Sequence, residues 1–412
     1  MGILANAIER RAYVVNLGHP GRYHEGTAKW IGAGTTSDAG VSVTATSAMK
    51  LTAVYCGVRI LAESVAHLPL DVLRMLKGGG AEKAIDDPLY PLLHDAPNSE
   101  MTSADWLEFM MGCAAINGVA YSEIEVVDGR PVAFWPLPWE NVQPFRLDDG
   151  TLVYKYTSVK DGRVFYLDQR RVLPFRGFSM NGYTGMSIWQ HFAQSLGVAI
   201  ATEEHAARFF GSGAQLGGIL STDSPLSQKA RANTKEAWEY AQAGIGKAHR
   251  TAVLDSGLKW TPITLDAEKS QLLASRKFTV SEVARILRVP PHKLMDLERA
   301  TFSNIEQQSL DFVTDTLMPW LVRIERRMNM SLFTAEDRKR GLYVKFNVRG
   351  LLRGDMAARS AFYVSGVNGG WFSPDEVREW EDLNPQPDGV GKVYARPKNT
   401  DFVGTGAPPA TA

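Results

Sequence analysis

Few residues of this chain stand where chemistry could be done, and each group must pass a spacing test. Glu203, Glu204 and His205 are consecutive. Metal binding from one helix wants a second histidine a turn away, as in H-E-x-x-H, because i and i+4 share a face. Phe209 occupies that place, so the run reads as a solvated helix face. Gly211, Gly213, Gly217 and Gly218 could cradle a phosphate, but they miss the G-x-G-x-x-G spacing and no Gly-Lys-Ser/Thr follows. A helical pattern precedes these glycines, which makes them helix stops. Gly177-Phe178-Ser179 lacks the closing glycine of a nucleophile elbow. Asp86-Asp87 and Asp148-Asp149 precede turns, where aspartate bonds to backbone. Cys56 and Cys113, the two cysteines, sit in apolar helical patterns with neither disulfide nor zinc spacing. The expectation is a protein that is not an enzyme and that holds no metal and no cofactor.

Nucleic-acid chemistry is tested by charge. Lys plus Arg equals Asp plus Glu at 45 each, so the formal charge is zero. Bulk electrostatic grip on phosphates needs a cationic excess, which is missing. Neutrality is common among globular proteins and also suits a conduit. Residues 280–294 (VSEVARILRVPPHKL) have the apolar spacing of a helix-turn-helix, which would make a DNA-binding regulator the alternative function. Only His292 and Lys293 could reach base edges from its second helix, too few for sequence reading. Lys229, Arg231, Lys235, Lys247 and Arg250 give residues 212–265 a basic bias, either a docking face or a solvated helix. Tryptophans such as Trp106, Trp135, Trp139, Trp189, Trp320 and Trp380 fall at apolar positions, so core and subunit contacts outrank base stacking. No apolar run nears the ~18 residues of a membrane span, and the first residues, with Glu9, Arg10 and Arg11, lack a signal-peptide core.

The elements that would position these residues follow from periodicity. Residues 17–40, rich in Gly, Thr and Ser, read as a mobile arm reaching to about residue 45. Leu51, Val54, Tyr55, Val58, Leu61, Val65 and Leu68 recur at three and four, an amphipathic helix. A strand over 70–76 and a helix over 103–116 come next. Strands over 121–127, 132–137, 142–146, 152–157 and 164–167 are joined by Asp-Gly turns at 128, 149 and 161, an antiparallel sheet. The fold class is α+β. A long helix over 187–210, striped by Ile188, Phe192, Leu196 and Ile200, precedes a small insert with strands over 217–221, 251–254 and 258–264 and a helix over 227–243. A second long helix spans 267–289. Pro290-Pro291 stops it. Ser303 stands three before Glu306, the spacing of a capping box. A third long helix over 304–333 should kink at Pro319. A strand over 344–348 and helices over 356–364 and 373–381 close the pattern, before a Pro/Gly-rich tail from 384. Two helices joined through a proline break and a polar loop form a mechanical device, not a catalytic one.

Residues 285–323 (RILRVPPHKLMDLERATFSNIEQQSLDFVTDTLMPWLVR) resemble the phage portal protein family, in the branch whose capsids share the HK97-type head. So do 53–70 (AVYCGVRILAESVAHLPL), 91–106 (PLLHDAPNSEMTSADW), 117–121 (NGVAY) and 208–220 (RFFGSGAQLGGIL), in an order that spans 50–383. The resemblance implies a helical and antiparallel-β wing (1–186 and 290–353), a two-helix stem (187–211 and 266–289), a small α/β clip (212–265) and a short helical crown (354–412). It also implies a tunnel loop over 295–304. Within that loop Glu298, Arg299, Ala300, Thr301, Phe302, Ser303 and Asn304 would face a DNA channel. Glu298 opposite Arg299 balances the loop's charge, which suits touching a sliding polyanion. The implied assembly is a ring of about twelve subunits at a capsid vertex, passing double-stranded DNA without sequence specificity during packaging and ejection. The implied partners are the large terminase, the major capsid or scaffold protein and a head–tail connector. The clip lysines and arginines would be an exit collar for DNA or the docking face for terminase and connector. The implied place is the virion of a phage, prophage or gene-transfer agent, with assembly in the host cytoplasm and no membrane.

Overall fold

The computed structural model describes residues 35–211, 218–223, 225–242, 257–262, 266–297, 302–348, 356–381 and 383–395. The chain divides into two compact units, Met1–Asn347 and Val348–Ala412.

The first unit begins with a small hairpin, β1 (Thr35–Thr36) and β2 (Ser42–Val43), then α1 (Ala45–Met49), capped by Thr44 and Ser47 in a reciprocal box. Val43 and Ala48 are fully buried. The arm expected to be mobile to about residue 45 is therefore folded from residue 35 onward; residues 1–34 lie outside the described residues. Helix α2 (Thr52–Ala66) buries Val54, Val58, Leu61 and Val65, the expected stripe. Tyr55 is the exception. At two consecutive apolar positions, 54 and 55, only one side chain can face inward, and Tyr55 stays half exposed.

Strand β3 (Leu70–Met75) pairs with β4 (Ala81–Lys83), which leads to α3 (Leu89–His94). Helix α4 (Ser103–Asn117) starts at a Thr102/Asp105 capping box and packs on α2. It ends at Gly118, whose φ of 75° is left-handed. A Cβ there would lie 2.4 Å from the carbonyl carbon of Met186, so the turn requires glycine twice over.

The β-rich block holds β5 (Val119–Val127), β6 (Arg130–Leu137), β7 (Val142–Arg146), β8 (Leu152–Thr157), β9 (Val164–Asp168) and β10 (Val172–Arg176). They form two three-stranded antiparallel sheets, β10-β5-β6 and β7-β8-β9, where one sheet is expected from the sequence. Strand β10 has no counterpart in the sequence reading, because Pro174 interrupts its pattern. Its edge position tolerates the missing N–H. Val119, Tyr121, Leu137, Val142, Tyr154, Leu167 and Val172 fuse the two sheets into one core. Trp106 lies at its other side, fully buried, stacked on Phe134 and edge-on to Phe175, with its indole N–H donating to Ser122 at 3.2 Å.

The expected 187–210 helix is broken. Helix α5 (Ile188–His191) ends at Phe192, whose φ of −108° and ψ of 27° leave the helical region, and α6 (Ala193–Gly211) restarts. The break rotates the stripe, so Phe192 is 42% exposed while Trp189, Ala193, Leu196 and Ala199 are buried. Strand β11 (Gly218–Ser221), helix α7 (Gln228–Gln242) and strand β12 (Lys259–Pro262) form the insert before α8 (Asp266–Leu287). The strand expected over 251–254 lies outside the described residues.

Helix α9 (Phe302–Asp311) runs into a π-helical turn, Phe312–Leu317, and then α10 (Met318–Leu332). Pro319 thus produces a widened turn ahead of itself. Its ring would crowd the carbonyl four residues back, and in the π turn the Met318 N–H donates five back, to Val313. Because α9 starts at Phe302, Ser303 lies inside its first turn and is not the N-cap. A small polar residue is tolerated there because the first N–H groups have no helical partner. Helix α11 (Ala335–Lys339) leads to β13 (Leu342–Phe346), which pairs with β3 in a third sheet, β13-β3-β4. The expected return of this strand is real, but to its own sheet.

The second unit holds α12 (Met356–Asn368) and α13 (Pro374–Trp380), the latter with the expected Ser373/Glu376 capping box. Phe372 meets Trp380 edge-on at 4.5 Å. Beyond residue 384 the chain is not loose at once. Arg378 holds the Asn384 carbonyl at 2.6 Å, Gln386 donates to Asp375, and Pro387–Lys392 forms short 3-10 turns interrupted by left-handed Asp388 and Gly389.

Candidate functional site

Helices α6 and α8 pack side by side. Leu196 and Ala199 of α6 and Val283, Ala284 and Leu287 of α8 are buried. Gly57 lets α2 approach, since a Cβ there would lie 2.5 Å from a Leu287 methyl. Farther along, the two helices leave an open apolar groove lined by Val198, Thr202, Phe278 and Ile286. Phe278 is 60% exposed and Val198 56%.

The insert at the far end of these helices is small. Strands β11 and β12 pair antiparallel, Gly218 opposite Pro262, and Lys259 reaches Asp223 at 3.0 Å. On α7, Lys229, Arg231 and Lys235 are all exposed. Arg231 and Lys235 are one turn apart and share a face, whereas Lys229 points about 200° away from Arg231. The expected docking face is therefore two residues wide on this helix. Lys247 and Arg250 lie outside the described residues.

The break after α8 is an elbow. Arg288 takes φ 57° and Met295 φ 64°, both left-handed, on either side of a 3-10 turn at Pro291–Leu294. The elbow is tied to the π turn by two contacts and to α9 by one. The Thr316 hydroxyl donates to the Arg288 carbonyl at 2.7 Å, the His292 ring meets Gln308 at 2.8 Å, and the Lys293 ammonium lies 5.0 Å over the Phe312 ring. No recognition helix follows the proline pair, so the helix-turn-helix alternative fails: one 3-10 turn cannot lie along a major groove. Met295 and Leu297 are exposed. Glu298, Arg299, Ala300 and Thr301 lie outside the described residues, while Phe302, Ser303 and Asn304 open helix α9. The expected loop is shorter at its C-terminal end by these three residues.

The groups tested for chemistry have structural partners or unfavourable settings. Burial pushes the Cys113 thiol up to about 11, so it is protonated at neutral pH. Glu204 pairs with Arg208 one turn on, at 3.4 Å. The Ser179 hydroxyl accepts from the Gly182 N–H in a turn. Among the described residues no group of three His, Cys, Asp or Glu is placed to hold a metal ion, and no helix is long and apolar enough to cross a membrane.

One feature is invisible to motif reading. Arg146 and Arg176, at the ends of β7 and β10, contact the loop at 179–184, and Arg323 and Arg327, on α10, lie near Arg176. Arg176 donates to the Gly182 carbonyl. The Arg146 guanidinium sits 5.8 Å from the Tyr183 ring centroid. Arg323 donates to the Arg176 carbonyl at 3.4 Å. Only the i, i+4 spacing of Arg323 and Arg327 is a local signal; the rest depends on strands 30 residues apart in sequence from Arg146 to Arg176.

A mixed helical and antiparallel-β frame, two long helices carrying a small insert and a proline elbow after the second helix make up the fold. Solved structures share the fold. The virion of a native gene transfer agent particle aligns with TM-score 0.56 at 20% identity, over 87% of this chain and 98% of that one. An HK97-family phage portal protein from Corynebacterium diphtheriae gives TM-score 0.56 at 20% identity, over 75% and 97%. Sequence carries the likeness further. The chain is 32% identical over 395 residues to the probable portal protein of Streptomyces phage phiC31, covering 90% of this chain and 83% of that protein. It is also 32% identical over 346 residues to the portal protein of Enterobacteria phage HK97, covering 83% and 80%. The model of the phage portal protein family matches residues 52–382, and the chain belongs to that family.

Proposed function

We propose that this chain is the subunit of a portal ring at one capsid vertex, the channel for double-stranded DNA during packaging and ejection. The observation that carries the reading is 32% identity to two phage portal proteins over most of each chain. In this reading the wing comprises 1–186 and 290–353, and α6 and α8 lie in the stem. The insert at 212–265 is the clip, 295–304 the tunnel loop, and 354–412 the crown. Twelve copies fit a related particle, since the neck of the native gene transfer agent was computed with C12 symmetry. The exposed Phe278 and Val198 supply apolar surface for a neighbouring copy, in a head-to-tail contact that closes on itself. The clip serves the large terminase during packaging and a head–tail connector afterwards, and the wing meets the capsid or scaffold protein. Assembly takes place in the host cytoplasm and the product is a virion component.

Native mass spectrometry tests the ring. The expected particle holds about ten to thirteen chains, and a clean monomer across a wide concentration range would sink the reading. Replacing residues 298–302 with a Gly-Ser linker should leave rings intact and reduce DNA packaging or retention. Normal yields of full-length packaged DNA would remove the loop from the channel. Charge reversal at Arg231 and Lys235 should weaken terminase docking more than reversal at Lys229, which lies on another face. Equal effects would mean that α7 docks without a preferred side.

A further inference from the structure

What sets the arginines near the 179–184 loop apart is their grouping, since other described arginines, such as Arg130, Arg231 and Arg378, also lie beyond ion-pair reach of a carboxylate. Arg59, Arg74, Arg163, Arg208, Arg285 and Arg340 each lie within ion-pair reach of a carboxylate. Arg146, Arg176, Arg323 and Arg327 have none. Their partners are carbonyl oxygens, a thioether and ring faces: Arg146 with the Gly150 carbonyl at 2.7 Å, Arg327 with the Met330 sulfur at 3.9 Å, and Arg323 over Trp320 at 5.3 Å. Burial holds Arg323 and Arg327 below the usual arginine range, and Arg176 lowers Arg327 further by like-charge repulsion. Among the described residues no carboxylate lies within ion-pair reach of this group.

Gathering like charges and partly drying them raises the free energy of the isolated chain unless an anion arrives. Four positive groups suit a run of anions better than one carboxylate. Guanidinium forks match phosphate oxygens in pairs. The loop offers little to read bases with. The Asn181 amide is already engaged, its oxygen accepting from the Tyr183 and Thr184 N–H groups and its nitrogen donating to the Thr184 hydroxyl. We propose that the strip formed by Arg146, Arg176, Arg323 and Arg327 binds successive backbone phosphates of nucleic acid without reading sequence. It deepens the portal reading by naming a phosphate contact apart from both the tunnel loop and the clip.

The test uses the full chain and two duplexes of unrelated sequence, with fluorescence anisotropy at several salt concentrations. Four phosphate contacts give a slope of log K against log salt of about −3.6. Arg323→Gln with Arg327→Gln should reduce that slope by about 2, weaken both duplexes roughly tenfold at low salt, and leave their ratio unchanged. Arg323→Lys with Arg327→Lys should restore most of the slope. The thermal midpoint of the glutamine pair should equal or exceed that of the parent, since repulsion is relieved. A pair that melts lower would make these arginines supports of the fold. An unchanged slope overturns the proposal. So does a pair that loses ring mass while keeping the slope, which would assign the strip to a neighbouring copy's carboxylates. Inorganic phosphate is the control for source. If it stabilises the parent but not the pair while neither duplex binds, the site takes a free anion and the nucleic-acid assignment fails. The ring mass of the parent, read in the same samples, tests the portal reading independently.

Discussion

The β-rich frame and the paired helices α6 and α8 treat their aromatic residues in opposite ways. In the frame Trp106, Tyr121, Phe134, Tyr154 and Phe175 are each at most 2% exposed. On the helices and their insert, Phe278 is 60% exposed and Tyr240 80%. The frame completes its own core within one chain. The helical part presents apolar surface that a single copy leaves in water, where each large side chain forgoes about 1.5–3 kcal/mol of burial. In the portal reading proposed above, stability of the chain and stability of the ring would be written on different elements.

Substitutions can break this contrast or sharpen it. The largest effect is expected at Trp106→Ala, which empties a closed site and orphans the Ser122 contact. Chemical denaturation should show a loss of about 3–5 kcal/mol, and a loss near 1 kcal/mol would mean that the frame is more plastic than its packing implies. Gly118→Ala should cost about 3 kcal/mol from a left-handed residue forced against Met186. A full-strength thermal transition at the parent temperature would refute that steric account. Phe278→Ser should change subunit stability by less than about 0.5 kcal/mol and yet loosen any ring, seen as dissociation at higher protein concentration. An equal loss in both measurements would erase the distinction between the two regions.

The smallest effect concerns pH. Glu325, on α10, accepts the Phe346 N–H at 2.8 Å, and burial is the main cause holding its carboxyl above the usual range. A raised carboxyl favours the protonated folded state. Its contribution is complete below the ordinary carboxylate range and is lost as pH rises through the raised value. Glu325→Gln keeps an acceptor and removes the ionisation. It should match the parent near pH 3 and exceed it at pH 7. Parallel stability curves across that range would show that Glu325 is solvated in the folded state.

Local patterns were readable before any coordinates. The apolar spacing of α2, the Asp-Gly turns between β5 and β9, and the Ser373/Glu376 box each depend on residues close in sequence, and each has its expected form. What the sequence hid depends on distant partners. Strand β10 carries Pro174, which argues against a strand until its edge position is known. One sheet became two because strand alternation does not say which neighbour is chosen. Phe192 fitted the stripe of a continuous helix, but tertiary packing broke that helix at Phe192 itself. Of the loop proposed for the channel, residues 298–301 lie outside the described residues and 302–304 belong to α9. The arginine strip was illegible, because nothing near Arg146 in sequence announces Arg327.

The π turn at Phe312–Leu317 absorbs one residue. A turn that closes five residues back holds one residue more than its α neighbours within about one full rotation, so the helix faces on either side stay in phase. Deleting a single residue inside 312–317 would let the helix run regularly and keep Gln308 facing His292. A deletion inside the regular turns of Met318–Leu332 has no such slack, and it would swing the preceding segment by about 100°. The short stretch at 312–317 is therefore where this helix tolerates a change of length.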